Sequence, residues 1–216
     1  TTLLDEITPI GECDFVTSVS AELPLMAIAE IVGVPQEDRD KLFDWSNRTI
    51  GGADEEYQLD DSAERPPELE GIEGDFKDSE LAMVEMAMYA HELTEKKKAE
   101  PADDLWTRLT EAVVEIDGVR HELTEIERDL FFTLLIIAGN ETTRNAISKG
   151  MMAFMDNPDQ WELFKSDPEG LADTMTDEVL RWTSPVNFFR RTATETTMLG
   201  DVEIQAGDKV LLWYPS

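Results

Sequence analysis

The chain has 216 residues, 48 of them Asp or Glu against 18 Lys or Arg, and so carries a formal net charge of −30 at pH 7. So acidic a balance excludes most nucleic-acid binding, which needs clustered Lys and Arg to neutralise phosphates, and it opposes docking on an anionic membrane surface. At 41% hydrophobic residues the composition is that of a folded globular chain, and the single Cys13 rules out an internal disulfide framework and any multi-cysteine metal site.

Taken in chain order, Ala21 to Val32 has apolar residues at Leu25, Ile28, Ala29 and Val32, a helical spacing that Gly33 and Pro35 terminate. A second helix is predicted from about Gln36 to Ile50, ended by Gly51-Gly52. From Asp54 to Glu80 the composition shifts to 12 acidic and 2 basic residues with Pro66-Pro67 and few apolar anchors, which reads as an acidic loop or lid. Leu81 to Lys98 is a Met-rich helix whose stripe of Met83, Met86, Ala87, Ala90 and Leu93 is expected to face the core. A further helix is expected after Pro101, ending near Val114, and Ile116-Asp117-Gly118-Val119 is a hairpin signal.

Thr124 and Glu127 then form a capping box that opens a helix running to Met155, on the order of 30 residues and 45 Å at about 1.5 Å per residue. Shorter helices follow over Gln160 to Lys165 and about Gly170 to Trp182. After Pro185 the period changes, and Phe188 to Thr194, Met198 to Ile204 and Lys209 to Tyr214 read as strands, with Ala206-Gly207-Asp208 as the last turn. The fold class is therefore mainly α with a small β-sheet at the C-terminal end. The longest apolar stretch, Leu130 to Ala138, is about half of the roughly 18 residues a membrane span needs, and no signal-peptide pattern opens the sequence. A soluble, cytoplasmic protein without a membrane span is the expectation.

Three constellations carry possible chemistry. His-Glu-Leu-Thr-Glu occurs from His91 and again from His121, but the second imidazole of a zinc-protease motif is missing in both copies. In the middle of the long helix, Ala138-Gly139-Asn140-Glu141-Thr142-Thr143 is a poor helix interior, because Gly is about 1 kcal/mol worse than Ala and Thr competes for backbone hydrogen bonds. Either something approaches closely at Gly139, with Thr142 turning a hydroxyl inward and Glu141 able to move protons, or the segment is a polar face where the helix surfaces. Glu178 and Arg181 share one helical face among Val179, Leu180 and Trp182, a packed setting by composition or else a surface ion pair. Arg190-Arg191, rare in so acidic a chain, can serve a buried anion or pair with local carboxylates.

In this order, the signals resemble the cytochrome P-450 family of haem-thiolate monooxygenases. Ala138 to Thr143 resembles its oxygen-activation motif, Glu178-x-x-Arg181 its Glu-x-x-Arg helix, and Arg191, heading Arg-Thr-Ala-Thr-Glu, the arginine that holds a haem propionate. Leu23-Pro24-Leu25 through Val34-Pro35 resembles the helix before its mobile substrate lid. Within the family, Ala-Gly-Asn-Glu-Thr-Thr-Arg-Asn from Ala138, Gly150 to Phe154 and Leu211 to Tyr214 are most similar to bacterial enzymes that hydroxylate the terminal carbon of sterol side chains and branched lipids.

The resemblance implies haem b as cofactor, with Ala138 and Gly139 over its plane and Arg191 on a propionate. It implies Glu141 and Thr142 as the catalytic acid-alcohol pair that relays protons during dioxygen activation. Glu178 and Arg181 are structural in the family, and Val186, Asn187 and Phe188, with Phe15, are expected near a small apolar substrate. Electrons would come from a ferredoxin and ferredoxin reductase. The departure concerns the axial Cys thiolate, which in the family lies in a loop after the sheet; Cys13 precedes the motif helix and is not at that place. Residues 1–216 are therefore expected to be an incomplete cytochrome P-450 domain, about the middle half of a member, lacking the N-terminal part and the cysteine loop, with 54–80 as its acidic lid. The expected function is the central part of a monooxygenase inserting one oxygen atom of dioxygen into a lipid or sterol-like substrate. The rival expectation is a non-catalytic acidic helical module, a pseudoenzyme or interaction domain on the same scaffold.

Overall fold

The computed structural model describes residues 2–50 and 77–215. These form two compact units, residues 1–144 and 145–216, and the division falls within one long helix. Most of the lid expected over 54–80 lies outside the described residues.

In the first unit, α1 (Thr2–Ile7) and a π-helical turn (Val16–Ser20) precede α2 (Glu22–Val32). Gly33 ends α2 in a left-handed conformation, φ 88°, and both Gly33 and Val34 donate to the Ala29 carbonyl. The helix expected from Gln36 is a 3-10 turn (Gln36–Asp38) followed by α3 (Arg39–Ile50). α4 (Asp78–Ala99) starts within the span read as loop: Glu80 accepts the Lys77 backbone N–H at 2.9 Å, so the acidic run there serves a helix N-terminus, which favours negative charge. α5 (Leu105–Thr110) is shorter than expected, because Val113 and Val114 belong to β1 (Val113–Ile116), paired antiparallel with β2 (Val119–Glu122). Asp117 (φ 52°) and Gly118 (φ 76°) make the tight turn between them. α6 (Glu125–Asp156) is 32 residues long and opens on the expected capping box, with Thr124 N donating to Glu127 Oε2 at 2.8 Å and Glu127 N to Thr124 Oγ1 at 3.3 Å.

The core of this unit joins Leu25, Ala29 and Val32 of α2, Leu42 and Trp45 of α3, Ala82, Met86, Ala90 and Leu93 of α4, Trp106 of α5, and Phe132 and Ile136 of α6. Its centre is a run of rings, Trp45 to Tyr89 to Phe132 to Trp106, with centroids 5.3 to 5.7 Å apart. Of the expected α4 stripe, Met86, Ala90 and Leu93 are buried and Ala87 is half-buried, but Ala82 holds the first place and Met83 is exposed.

In the second unit, α7 (Pro158–Ser166) and α8 (Pro168–Thr183) follow the end of α6, each with Pro in its first turn. Phe154, Trp161 and Phe164 cluster between α6 and α7, and Gly150 of α6 leaves room for Val179 of α8. β3 (Phe188–Thr192) pairs antiparallel with β6 (Lys209–Trp213). The strand expected over Met198 to Ile204 is instead a hairpin of β4 (Thr197–Leu199) and β5 (Val202–Ile204), because Gly200 takes a left-handed φ of 59° and turns the chain.

Candidate functional site

The centre of α6 presents a face built by helical periodicity. Leu130, Leu134, Ala138, Glu141 and Thr142 recur at spacings of three and four and so lie along one side. Leu130 and Leu134 are more than half exposed, Ala138 is exposed, and Thr142 is half-buried. On the opposite side Phe132, Ile136 and Asn140 are fully buried. An exposed apolar strip that ends on a small residue and an acid-alcohol pair is thus what α6 offers to a ligand.

The polar atoms on that strip are already oriented. Thr142 Oγ1 donates to the Ala138 carbonyl at 2.6 Å, the back-bond that bends helices. Its proton is committed there, which leaves the hydroxyl lone pairs as acceptors. Glu141, about a quarter exposed, accepts from Arg144 Nη2 one turn along the same helix. Arg144 Nη1 in turn donates to Oδ1 of the buried Asn47 on α3 at 3.4 Å. The Arg144 link to Glu141 is legible as an i,i+3 pair; the reach to Asn47, 97 residues away in sequence, has no local signal.

Gly139 has a packing reason that the sequence does not reveal. A Cβ there would meet Ile28 Cδ1 of α2 at 2.8 Å, so the room left by the glycine is taken by Ile28 and not by a flat ligand. The exposed small residue of the motif is Ala138.

The remaining predicted residues lie in the second unit. Glu178 and Arg181 form a forked ion pair, Oε2 to Nε at 2.7 Å and Oε1 to Nη2 at 2.6 Å, but both are exposed rather than packed. Within this unit α8 turns its Val179 side toward α6; Glu178 and Trp182, though largely exposed, border the same groove between α6, α7 and α8, and Arg181 lies outside it. The pairing still holds Glu178 below the usual carboxylate range through the Arg181 hydrogen bond. Arg191 on β3 lies over the Phe189 ring at 5.1 Å and donates to the Arg190 carbonyl at 3.1 Å; among the described residues no carboxylate pairs with it. Val186 is half-buried and Asn187 exposed, the latter's carbonyl accepting from Tyr214 N. Phe188 stacks on its cross-strand partner Trp213 at 5.5 Å and 7°. In the first unit Phe15 is half-buried just before the π-helical turn, and Cys13 is a free, exposed thiol. His91 Nδ1 is paired with Glu125 Oε1 at the start of α6.

A mainly helical chain with an acid-alcohol step midway along a 32-residue helix, then a Glu-x-x-Arg helix and antiparallel strands, is the element order that the sequence resemblance implies. No family model matches the chain. Among curated proteins it is 47% identical over 214 residues to the steroid C26-monooxygenase of Rhodococcus jostii (strain RHA1), covering 99% of this chain and 40% of that protein. It is 37% identical over 208 residues to the methyl-branched lipid omega-hydroxylase of Mycobacterium bovis, covering 96% of this chain and 44% of that protein. Among solved structures, a cytochrome P450 of Mycobacterium marinum in complex with pseudoionone aligns with a TM-score of 0.80 at 32% identity, over 99% of this chain and 48% of that one. The chain is thus similar to cytochrome P450 proteins, and it spans about two fifths to one half of the length of these relatives. Among the described residues no helix is long and apolar enough to cross a membrane.

Haem is the cofactor of cytochrome P450s, and each unit by itself has residues suited to it. In the first, the exposed strip from Leu130 to Ala138 suits an apolar macrocycle; in the second, Arg191, which has no carboxylate partner among the described residues, suits a propionate.

Proposed function

We propose that the chain is the central part of a haem b-dependent monooxygenase that inserts one oxygen atom of dioxygen into a lipid or sterol-like substrate, hydroxylating its side chain. The observation that carries this reading is the position of Glu141 and Thr142 at the end of the exposed apolar strip of α6, with the Thr142 proton given to Ala138. The names of the relatives support the substrate class, both being hydroxylases of steroid or branched-lipid molecules.

When bound, haem supplies the iron at which dioxygen is activated. The work of this chain is to hold the group and manage protons. Ala138 keeps the strip flat, and Arg191 offers its guanidinium to a propionate. Thr142 accepts a hydrogen bond at its oxygen, and Glu141, the preceding residue, moves a proton at its carboxylate. Val186 and Phe188, with Asn187 between them, are assigned to the substrate side, and Phe188 stacks on Trp213. Glu178 and Arg181 are assigned a structural role, not a catalytic one. Electrons would be delivered in the cytoplasm by a ferredoxin and its reductase.

The test is an absorbance spectrum of the complete protein, reduced and treated with carbon monoxide. A Soret band at the position diagnostic of thiolate-ligated haem is expected; a complete protein that binds no haem would replace this reading with a non-catalytic module on the same scaffold.

A further inference from the structure

We infer that Arg144 and Asn47 are positioning residues for proton delivery, Arg144 holding the Glu141 carboxylate and Asn47 holding Arg144. The assignment rests on the monooxygenase reading above and extends it to two residues outside the motif pair.

Three features of the geometry carry it. The contacts run in series, Glu141 Oε2 to Arg144 Nη2 on α6, then Arg144 Nη1 to Asn47 Oδ1 on α3 at 3.4 Å, so one guanidinium bridges two helices. All three side chains are largely withdrawn from solvent: Arg144 is 15% exposed, Glu141 24% and Asn47 8%. A pair so placed is screened less than a surface pair and is held in a narrower range of rotamers. Finally, an Arg fork anchored at a second point fixes the direction in which the carboxylate can be reached, which an i,i+3 pair with one free arm does not. Glu141 has three rotatable bonds and would sample several rotamers on its own, and the anchored Arg144 is what holds its carboxylate in one of them. Asn47 adjoins Arg48, which is itself clamped in a buried ion pair to α4, so the anchor stands on a rigid part of α3.

The experiment uses the complete haem-loaded protein and compares Arg144→Ala, Arg144→Lys, Asn47→Ala and Glu141→Gln, together with Arg144→Ala and Asn47→Ala each made in the Glu141→Gln background. Product formed per electron pair consumed is read for each, with the urea midpoint of the holoenzyme as a second readout. Arg144→Ala is expected to lower coupling by roughly fivefold, less than removal of the Glu141 carboxylate itself does. Arg144→Lys should recover part of that loss, and Asn47→Ala should show a smaller one. Neither Arg144→Ala nor Asn47→Ala should lower coupling further once Glu141 is Gln, and the midpoint shifts of Arg144→Ala and Glu141→Gln should fail to add, as expected for groups in contact. A structural role alone would lower coupling equally in both backgrounds, and that result overturns the assignment, as does unchanged coupling in Arg144→Ala. If Glu141→Gln itself leaves coupling unchanged, the proton-delivery reading of Glu141 fails first and this inference with it. If Arg144→Ala does not fold, Arg144→Lys and Asn47→Ala decide on the same readouts.

Discussion

Arg48 and Glu85 meet as a buried fork, Nη1 to Oε2 and Nη2 to Oε1 each at 2.9 Å, and Trp45 Nε1 gives Glu85 Oε2 a further hydrogen bond at 2.7 Å. Arg48 also reaches Asp44 at 2.9 Å and Asp78 at 2.7 Å, so one guanidinium 3% exposed serves three carboxylates. Burial opposes its charge, but the carboxylates outweigh burial and raise its affinity for the proton. The cluster joins the C-terminal end of α3 to the start of α4.

Arg48→Met strands the Glu85 carboxylate in the interior and should destabilise by about 3–5 kcal/mol, whereas Arg48→Met with Glu85→Leu should regain most of that. Urea midpoints of the two variants check this; a double variant as unstable as the single one would contradict the account of Glu85 as a charge that needs Arg48.

Gly139 is explained by Ile28, which has consequences for substitution. Ala at 139 gains up to about 1 kcal/mol of helix propensity and pushes only the mobile tip of Ile28, so the net change in stability should stay within about 1 kcal/mol. Val at 139 adds bulk against the same neighbour and should be clearly destabilising, and Ile28→Val should relieve it. Thermal melts of the four proteins decide; a Gly139→Val variant as stable as wild type would show that Ile28 does not set this position.

Asp104 caps α5, accepting Thr107 N at 2.8 Å, and is paired with Lys97. Burial raises its proton affinity, but Lys97 and Thr107 outweigh burial and hold the carboxyl below the usual aspartate range. A carboxylate whose folded value is depressed contributes stability that is fully present above the unfolded value of about 3.9 and is lost as pH falls through the lower folded value. Asn also caps helices, so Asp104→Asn removes the titration while keeping the cap. The stability difference between wild type and Asp104→Asn should be largest near neutral pH and should shrink below about pH 4; a difference independent of pH would contradict the depressed carboxylate.

The Glu178–Arg181 fork is exposed on both sides. Glu178→Gln should therefore leave the urea midpoint of the 216-residue chain unchanged, since exposed pairs contribute little. A large loss would mean that the pair is packed in solution, as its apolar neighbours in sequence imply.

How far the sequence reached depends on whether the signal was local. The long helix is legible because Thr124 and Glu127 cap it and its apolar pattern resumes after the polar step at 139–143 and lasts to Met155, before Asn157-Pro158. The acid-alcohol pair was legible as a motif, and its setting on an exposed strip follows from periodicity once the helix is known. The hairpin at Gly200 has no separate signal, because apolar residues on both sides of Gly200-Asp201 read as one strand. A Met-rich helix offers two stripes, and the choice between them, which leaves Met83 exposed, is made by what α4 packs on, not by α4 itself. Ile28 against Gly139, Asn47 behind Arg144 and Glu85 against Arg48 are contacts between distant segments, with no pattern in either segment alone.

The central claim is that Glu141 and Thr142 deliver protons from the exposed strip of α6. Its most direct test is the ratio of product formed to electron pairs consumed in the complete haem-loaded protein carrying Thr142→Ala or Glu141→Gln. Both variants are expected to divert electrons away from product, and Glu141→Gln also to slow turnover by roughly 10²-fold or more; wild-type coupling in either variant would contradict the claim.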